Sequence, residues 1–352
     1  MCTSVTLKTK DGKNLFGRTM DFSVKFNESV RLVPRNFKWT NVTDKEEKST
    51  KYAFIGMFIV TDNHPVFADG VNEKGLTCAT LYFPGFAKYE EENIENKENI
   101  ACYDFVLWAL SQFKHLEEVK KSLENVVVIN KVLSILNFAP PLHWILSDKS
   151  GKSIVVEKTN RGSEVFDNPI GVMTNSPNFE WHLSNLRQYI GVRAKQFDNV
   201  TWNDLELSAF SQGSGTFGLP GDFTPPSRFV RAVYLKNNIV DIDDEIEGVN
   251  GIFHILSNCE IPKGTVLKSD NACDYTLYTS AMCSESATYY YYTYEDCQIS
   301  VVHLFNENLD APFMKNFPIS KVQSINNIKD YLKLNFEIVF YSVASRGTTT
   351  WW

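Results

Sequence analysis

Apolar and polar residues alternate with a period of two along the first part of the chain and again near its end. Helical spacing is confined to the middle. Residues 2–9 and 14–20 read as two strands joined by Lys10-Asp11-Gly12-Lys13, and Asp-Gly between two such runs is a hairpin signal. Val30–Val33 is a further strand. Tyr52–Val60, Val66–Ala68 and Leu76–Phe83 alternate or run apolar with β-branched residues, as sheet strands do, and Asn72-Glu73-Lys74-Gly75 turns between the last two. The polar stretches 40–51 and 86–100 are expected to be loops. Ala101–Phe113 and Leu116–Glu124 carry helical spacing without Gly or Pro.

The apolar run 129–141 ends in Pro140-Pro141 and reads as a loop, either buried or bordering an apolar ligand site. His143–Ser147 and Ile154–Lys158 form another hairpin across Asp148-Lys149-Ser150-Gly151. A strand ends in Val172-Met173-Thr174-Asn175-Ser176-Pro177, and a helix follows at about 179–190. Leu205–Phe210 looks helical, Pro225-Pro226 opens a helix, and Ile246–Leu256 is another. Tyr275–Ser280, Thr288–Thr293 and Ile299–Phe305 are late antiparallel strands, and Tyr331–Tyr341 reads as further apolar sheet or helix. This order predicts an α+β fold, with helices covering stacked antiparallel sheets. No repeat or linker divides it.

Composition narrows the function classes. With 352 residues and 43% hydrophobic content, the chain can bury a large core. Net charge is −7 with both signs mixed, so neither nucleic acid nor an anionic membrane is an expected partner. No apolar run is long enough to span a bilayer and no secretory leader precedes Cys2, so a cytoplasmic location is expected. The seven cysteines are scattered without Cys-x-x-Cys, which argues against a disulfide framework or a zinc site. Gly213–Gly218 spells G-x-G-x-x-G, but a helix-like stretch precedes it and Leu219-Pro220 follows, the wrong setting for a dinucleotide. No cofactor and no metal is expected. The six histidines lack a papain-type cysteine signature and are read as structural.

The candidate chemistry sits at the start. Removal of Met1 would leave Cys2 with a thiol and a free α-amine on one carbon, a nucleophile beside its own base. The reference pKa values of the two groups lie within about one unit, so proton transfer between them is nearly balanced. The alternative is a small apolar residue beginning an edge strand. The first hairpin returns Gly17-Arg18-Thr19-Met20-Asp21 to the neighbourhood of residue 2. There Arg18 would favour a thiolate by its charge, and Asp21 could accept from the terminal ammonium; a surface ion pair is the alternative. Asn175 at a strand end could aim its amide N–H₂ at a developing oxyanion or cap the next helix. Arg228, near a helix start, could support catalysis or form a structural ion pair.

In this order the residues resemble the choloylglycine hydrolase family, which contains conjugated bile salt hydrolases and penicillin V acylases. The stretches that carry the resemblance are Met1-Cys2-Thr3, Phe16-Gly17-Arg18 with Met20-Asp21, Asn72–Leu76, Leu142-His143-Trp144, Thr174–Pro177, Gly218–Asp222 and Ser227–Arg231. The match runs over residues 1–327 and leaves 328–352 as a tail without a counterpart. It implies an N-terminal-nucleophile hydrolase with an αββα sandwich, usually a homotetramer. Cys2 would attack the amide carbonyl and its α-amine would pass the proton to the leaving amine. Arg18 and Asp21 would tune and orient Cys2. Asn175 and the backbone N–H of Tyr82 would form the oxyanion hole, and Arg228 would stabilise the site. Family pocket positions fall on Met20, Thr61, Ala68, Leu133 and Asn137.

One position departs from the pattern. Bile salt hydrolases usually carry Asn at residue 82, and Tyr82 is the choice associated with penicillin V acylases. Phe67-Ala68-Asp69-Gly70 and the stretches near 142 and 215 resemble the bile salt branch. The implied substrate is a small amphipathic amide, a glycine- or taurine-conjugated bile salt, with penicillin V as the alternative. A non-enzymatic alternative is a binding protein for an apolar acid, with Cys2 inert.

Overall fold

The N-terminal hairpin forms as the alternation predicts. Strand β1 (Cys2–Lys8) pairs antiparallel with β2 (Asn14–Phe22) from Cys2↔Met20 to Lys8↔Asn14. The computed structural model describes residues 1–61 and 64–328. The expected element at Tyr331–Tyr341 and the tail from residue 329 lie outside the described residues.

Among the described residues two large sheets carry the fold. The further strands, in chain order, are β3 (Ser29–Val33), β4 (Phe54–Thr61), β5 (His64–Asn72), β6 (Thr77–Tyr82), β7 (Leu142–Ser147), β8 (Ser153–Thr159), β9 (Gly162–Asp167), β10 (Val172–Met173), β11 (Tyr275–Cys283), β12 (Thr288–Thr293), β13 (Ser300–His303) and β14 (Lys315–Phe317). The first sheet runs β10-β1-β2-β11-β12-β13 and the second β9-β8-β7-β6-β5-β4-β3-β14. Their ladders are antiparallel throughout.

Helices cover the outer faces. Helix α1 (Phe105–Gln112) packs on β5 and β6, and α2 (Leu116–Leu123) follows it. After the short α3 (Phe179–Asn185), α4 (Pro225–Asn238) and α5 (Glu245–Ser257) pack on β1 and, for α5, on β2 and β11 as well. Proline in the first turn starts α4, where the missing N–H has no intrahelical partner to lose. Asp244 caps α5 by accepting from the N–H groups of Ile246 and Glu247. Val5 and Phe16 of the first sheet and Ile55 and Ile145 of the second share one core cluster; Phe105, Trp108 and Trp144 belong to another beneath α1. The layers are α–β–β–α, as the resemblance implies.

Several local expectations change. The polar stretch 40–51 takes part in a small hairpin of Lys38–Thr40 with Glu47–Ser49, paired through backbone groups that polarity does not reveal. Glu98–Ala101, expected as loop and helix start, pairs parallel with Val126–Ile129, so α1 begins only at Phe105 after a 3₁₀ turn. Leu205–Phe210 is not helical: Leu205–Leu207 pairs with Val200–Trp202 across a turn in which Asn203 takes φ 53°, a left-handed conformation that Asn tolerates. The expected strand Ile299–Phe305 becomes β13 and a 3₁₀ turn at Leu304–Asn306.

Candidate active site

Cys2 begins β1 on an inner strand and is almost fully buried. Met1 precedes it. The amine of Met1 donates to the backbone oxygen of Asp21 at 2.5 Å, and Asp21 N–H donates to Met1 O at 2.9 Å. Cys2 N–H donates to Asn175 Oδ1 at 2.8 Å.

Arg18 projects from β2 under the thiol. Its Nη2 lies 3.1 Å from Cys2 Sγ and donates to Thr80 O at 3.1 Å. Its Nη1 donates to Asp69 Oδ2 at 3.0 Å and Tyr278 Oη at 2.9 Å. Burial opposes its charge, but Tyr278, Cys2 and Asp69 outweigh that and hold the guanidinium's pKa well above the usual value. A fixed positive charge therefore faces the sulfur and stabilises negative charge on it.

Asn175 follows β10 and ties the two sheets together. Its Oδ1 also accepts from Arg228 Nη2 at 2.7 Å, while its Nδ2 donates to Tyr82 O at 2.7 Å. Phe83 N–H donates to Pro141 O, and Leu142, opposite Tyr82, turns both backbone groups to the Tyr89 hydroxyl. By the alternation of antiparallel ladders, Tyr82 turns its N–H to the other edge of the strand, beside its carbonyl and toward Asn175. Arg228, from α4, donates through Nη1 to Cys2 O at 2.6 Å and to the Thr3 hydroxyl, and through Nε to Phe223 O at 3.0 Å. Burial lowers its pKa, with the nearby Asp21 acting in the opposite direction. The Asp21 carboxylate accepts from Thr276 Oγ1 at 2.7 Å and Thr19 Oγ1 at 3.1 Å and lies 3.9 Å from Arg228. With Met1 in place, the ammonium meets the Asp21 backbone oxygen rather than this carboxylate.

Two histidines support the Asn175 segment. His143 Nε2 lies 3.0 Å from Thr174 O, and His182 Nε2 lies 2.9 Å from Asn175 O. Burial lowers both pKa values, that of His182 to about 4. Asp69, Tyr278 and Tyr289 are partners that sequence reasoning missed. The available signal was a lone carboxylate in the apolar run Val66-Phe67-Ala68-Asp69-Gly70-Val71.

Cys2 opens onto an apolar cavity. Met20, Ala68 and Leu133 line it, as does Tyr82; Glu28 is the carboxylate at its wall. Thr61 and Asn137 are not among the lining residues. The Thr61 hydroxyl is bonded to Ser134 Oγ, and Asn137 sits in a turn at φ 60° with its N–H donating to Leu133 O at 3.0 Å. Both are thereby tied to the 129–141 loop, which borders the cavity through Leu133 and Leu136. Among the described residues no group of three His, Cys, Asp or Glu is placed to hold a metal, and no helix is long and apolar enough to cross a membrane.

A buried cysteine at the head of an inner strand, in an αββα sandwich, defines the N-terminal-nucleophile class of hydrolase. The model of the linear amide C–N hydrolases, choloylglycine hydrolase family, matches residues 2–317, and the chain belongs to that family. It is 46% identical over 328 residues to a bile salt hydrolase/transferase of Clostridium perfringens, covering 93% of this chain and all of that one. It is 37% identical over 320 residues to a bile salt hydrolase/transferase of Lactiplantibacillus plantarum, covering 91% and 97%. The solved C2A mutant of the conjugated bile acid hydrolase from Clostridium perfringens superposes with a TM-score of 0.88 at 46% identity, over 94% of this chain and all of that one. A penicillin V acylase from Agrobacterium tumefaciens shares the fold, with a TM-score of 0.72 at 19% identity over 90% and 91% of the two chains.

Proposed function

We propose that this protein hydrolyses the amide bond of glycine- or taurine-conjugated bile salts with Cys2, once Met1 has been removed. The observation that carries the reading is Cys2 Sγ, 3.1 Å from the Arg18 guanidinium, at the wall of an apolar cavity. The thiol passes its proton to its own α-amine and sulfur attacks the amide carbon. The resulting oxyanion is held by an Asn175 Nδ2–H and the Tyr82 N–H. The C–N bond breaks as the α-ammonium gives its proton to the leaving amine. Water, deprotonated by the α-amine, then cleaves the thioester and releases the bile acid. Arg228 shares Asn175 Oδ1 with the Cys2 nitrogen, so its charge favours the neutral, basic amine. Asp21, fixed by two threonines, keeps Arg228 compensated.

The same reading assigns catalysis to residues 1–327 and places the protein in the cytoplasm as a homotetramer. Exposed Trp202, Leu205, Phe210 and Phe217 offer apolar surface for subunit contact. Penicillin V acylase is the second reading, and Tyr82 is the observation in its favour.

Intact mass establishes whether Met1 is absent. Release of glycine or taurine from conjugated bile salts is then compared with release of phenoxyacetate from penicillin V, for wild type and Cys2→Ala. Bile salt cleavage that Cys2→Ala abolishes is the expected result. Cleavage of penicillin V alone would transfer the assignment to the second reading. Cleavage of neither substrate by processed protein would overturn both.

A further inference from the structure

We infer that Asp69 is a positioning residue for catalysis: reaching across from the opposite sheet, it fixes the Arg18 guanidinium against Cys2 and limits the positive charge that the thiol feels. The inference rests on the reading of Cys2 as the nucleophile. Asp69 lies on β5 of the second sheet, whereas Arg18, Tyr278 and Tyr289 lie on β2, β11 and β12 of the first. All four side chains are buried. Asp69 Oδ2 accepts from Arg18 Nη1 at 3.0 Å and Tyr278 Oη at 2.6 Å, and Oδ1 accepts from Tyr289 Oη at 2.6 Å. Tyr278 Oη also accepts from Arg18 Nη1 at 2.9 Å, which closes a ring of three groups.

The ring leaves Arg18 Nη2 for Cys2 Sγ and Thr80 O. Arg18 Nε has no hydrogen-bond partner, so the guanidinium's orientation depends on its two terminal nitrogens. Asp69 holds one of them and the sulfur meets the other. A carboxylate so placed competes with a thiolate for the same cation. Its own seat is constrained, because a Cβ at Gly56 would stand 2.0 Å from Asp69 O.

The charged and titratable groups facing this cluster are Arg18 on β2, Tyr278 on β11, Tyr289 on β12 and Cys78 on β6; around Cys2 they also include Asp21, Tyr82 and Arg228. Asp69 is the carboxylate in direct contact with Arg18.

The test reads Cys2 itself. Its alkylation by iodoacetamide is followed against pH by mass spectrometry of the N-terminal peptide, in Met1-free protein, alongside amide turnover. Asp69→Asn is expected to move the alkylation midpoint down by about one to two pH units and to lower kcat roughly tenfold or more. Neither change is expected when Asp69→Asn is added to Arg18→Leu. Tyr289→Phe, which keeps every charge, is expected to lower kcat several-fold in wild type and not in Arg18→Leu; it serves if Asp69→Asn does not fold. An unmoved midpoint, or equal losses with and without Arg18, would reduce Asp69 to a structural role. Alkylation needs no substrate, so an absence of bile salt turnover would sink the proposed function and leave this result readable. Loss of selective Cys2 alkylation in wild type would instead remove the nucleophile on which both rest.

Discussion

Arg228 and Cys2 donate to one oxygen. The guanidinium and the N–H of Cys2 reach Asn175 Oδ1 at 2.7 and 2.8 Å, while the same guanidinium takes Cys2 O at 2.6 Å. The backbone of Cys2 is thereby clamped on both sides by one side chain and its acceptor.

Arg228→Lys tests this clamp. A lysine keeps the charge, but one ammonium cannot span Cys2 O, Thr3 Oγ1, Asn175 Oδ1 and Phe223 O together. Steady-state kinetics should show kcat lower by roughly 10- to 100-fold, corresponding to one lost charged hydrogen bond. Thermal melting should show a lower Tm.

Asn175→Ala removes the proposed oxyanion donor and strands Arg228 Nη2 and Tyr82 O inside the protein. Turnover should fall by about 10²–10³. Stability should fall by about 1–3 kcal/mol through the unpaired groups, read by denaturant titration. A full-rate variant would exclude Asn175 from the oxyanion hole.

Ala68→Phe puts a ring into the cavity onto which Cys2 opens. KM for a conjugated bile salt should rise roughly tenfold or more, with kcat and KM for a short-chain acyl amide changed far less. Equal effects on both substrates would mean that the steroid does not lie there.

Stability should depend on pH through His182. Burial lowers its folded-state pKa to about 4, whereas an unfolded histidine takes up its proton near pH 6.5. The unfolded chain therefore binds the extra proton first, and stability is lost as pH falls from about 6.5 to about 4, by up to roughly 3 kcal/mol. Buried His143 acts in the same direction. Urea unfolding at stepped pH should show the slope, and His182→Gln should flatten part of it.

The sequence made legible what local pattern and turn chemistry determine. Asp11-Gly12 sets the first hairpin, whose register then brings Arg18 to Cys2. Asn175 and Arg228 are candidates by their place at a strand end and a helix start, but residue type alone leaves helix capping and an ion pair open, and the resemblance supplies their implied roles. Asp69 was out of reach because its phenolic partners lie 209 and 220 residues away on the other sheet. Thr61 and Asn137 enter the pocket expectation only through the family resemblance. Their local contacts, a bond to Ser134 and a left-handed turn, have no periodic signature. The hairpin at 200–207 was misread because three apolar residues at 205, 207 and 210 fit either period until the Asn203 turn is known.

Placing Cys2 at the head of an inner strand has an evolutionary and a practical side under the proposed mechanism. A Cys2 that works through a free α-amine admits no permanent extension in front of it, because any added residue turns that amine into an amide with no basic lone pair. Domains, anchors and purification tags that leave the activity intact must then be joined elsewhere than at the N-terminus, and a cleavable N-terminal fusion would act as an off switch released by a protease that leaves Cys as its first residue.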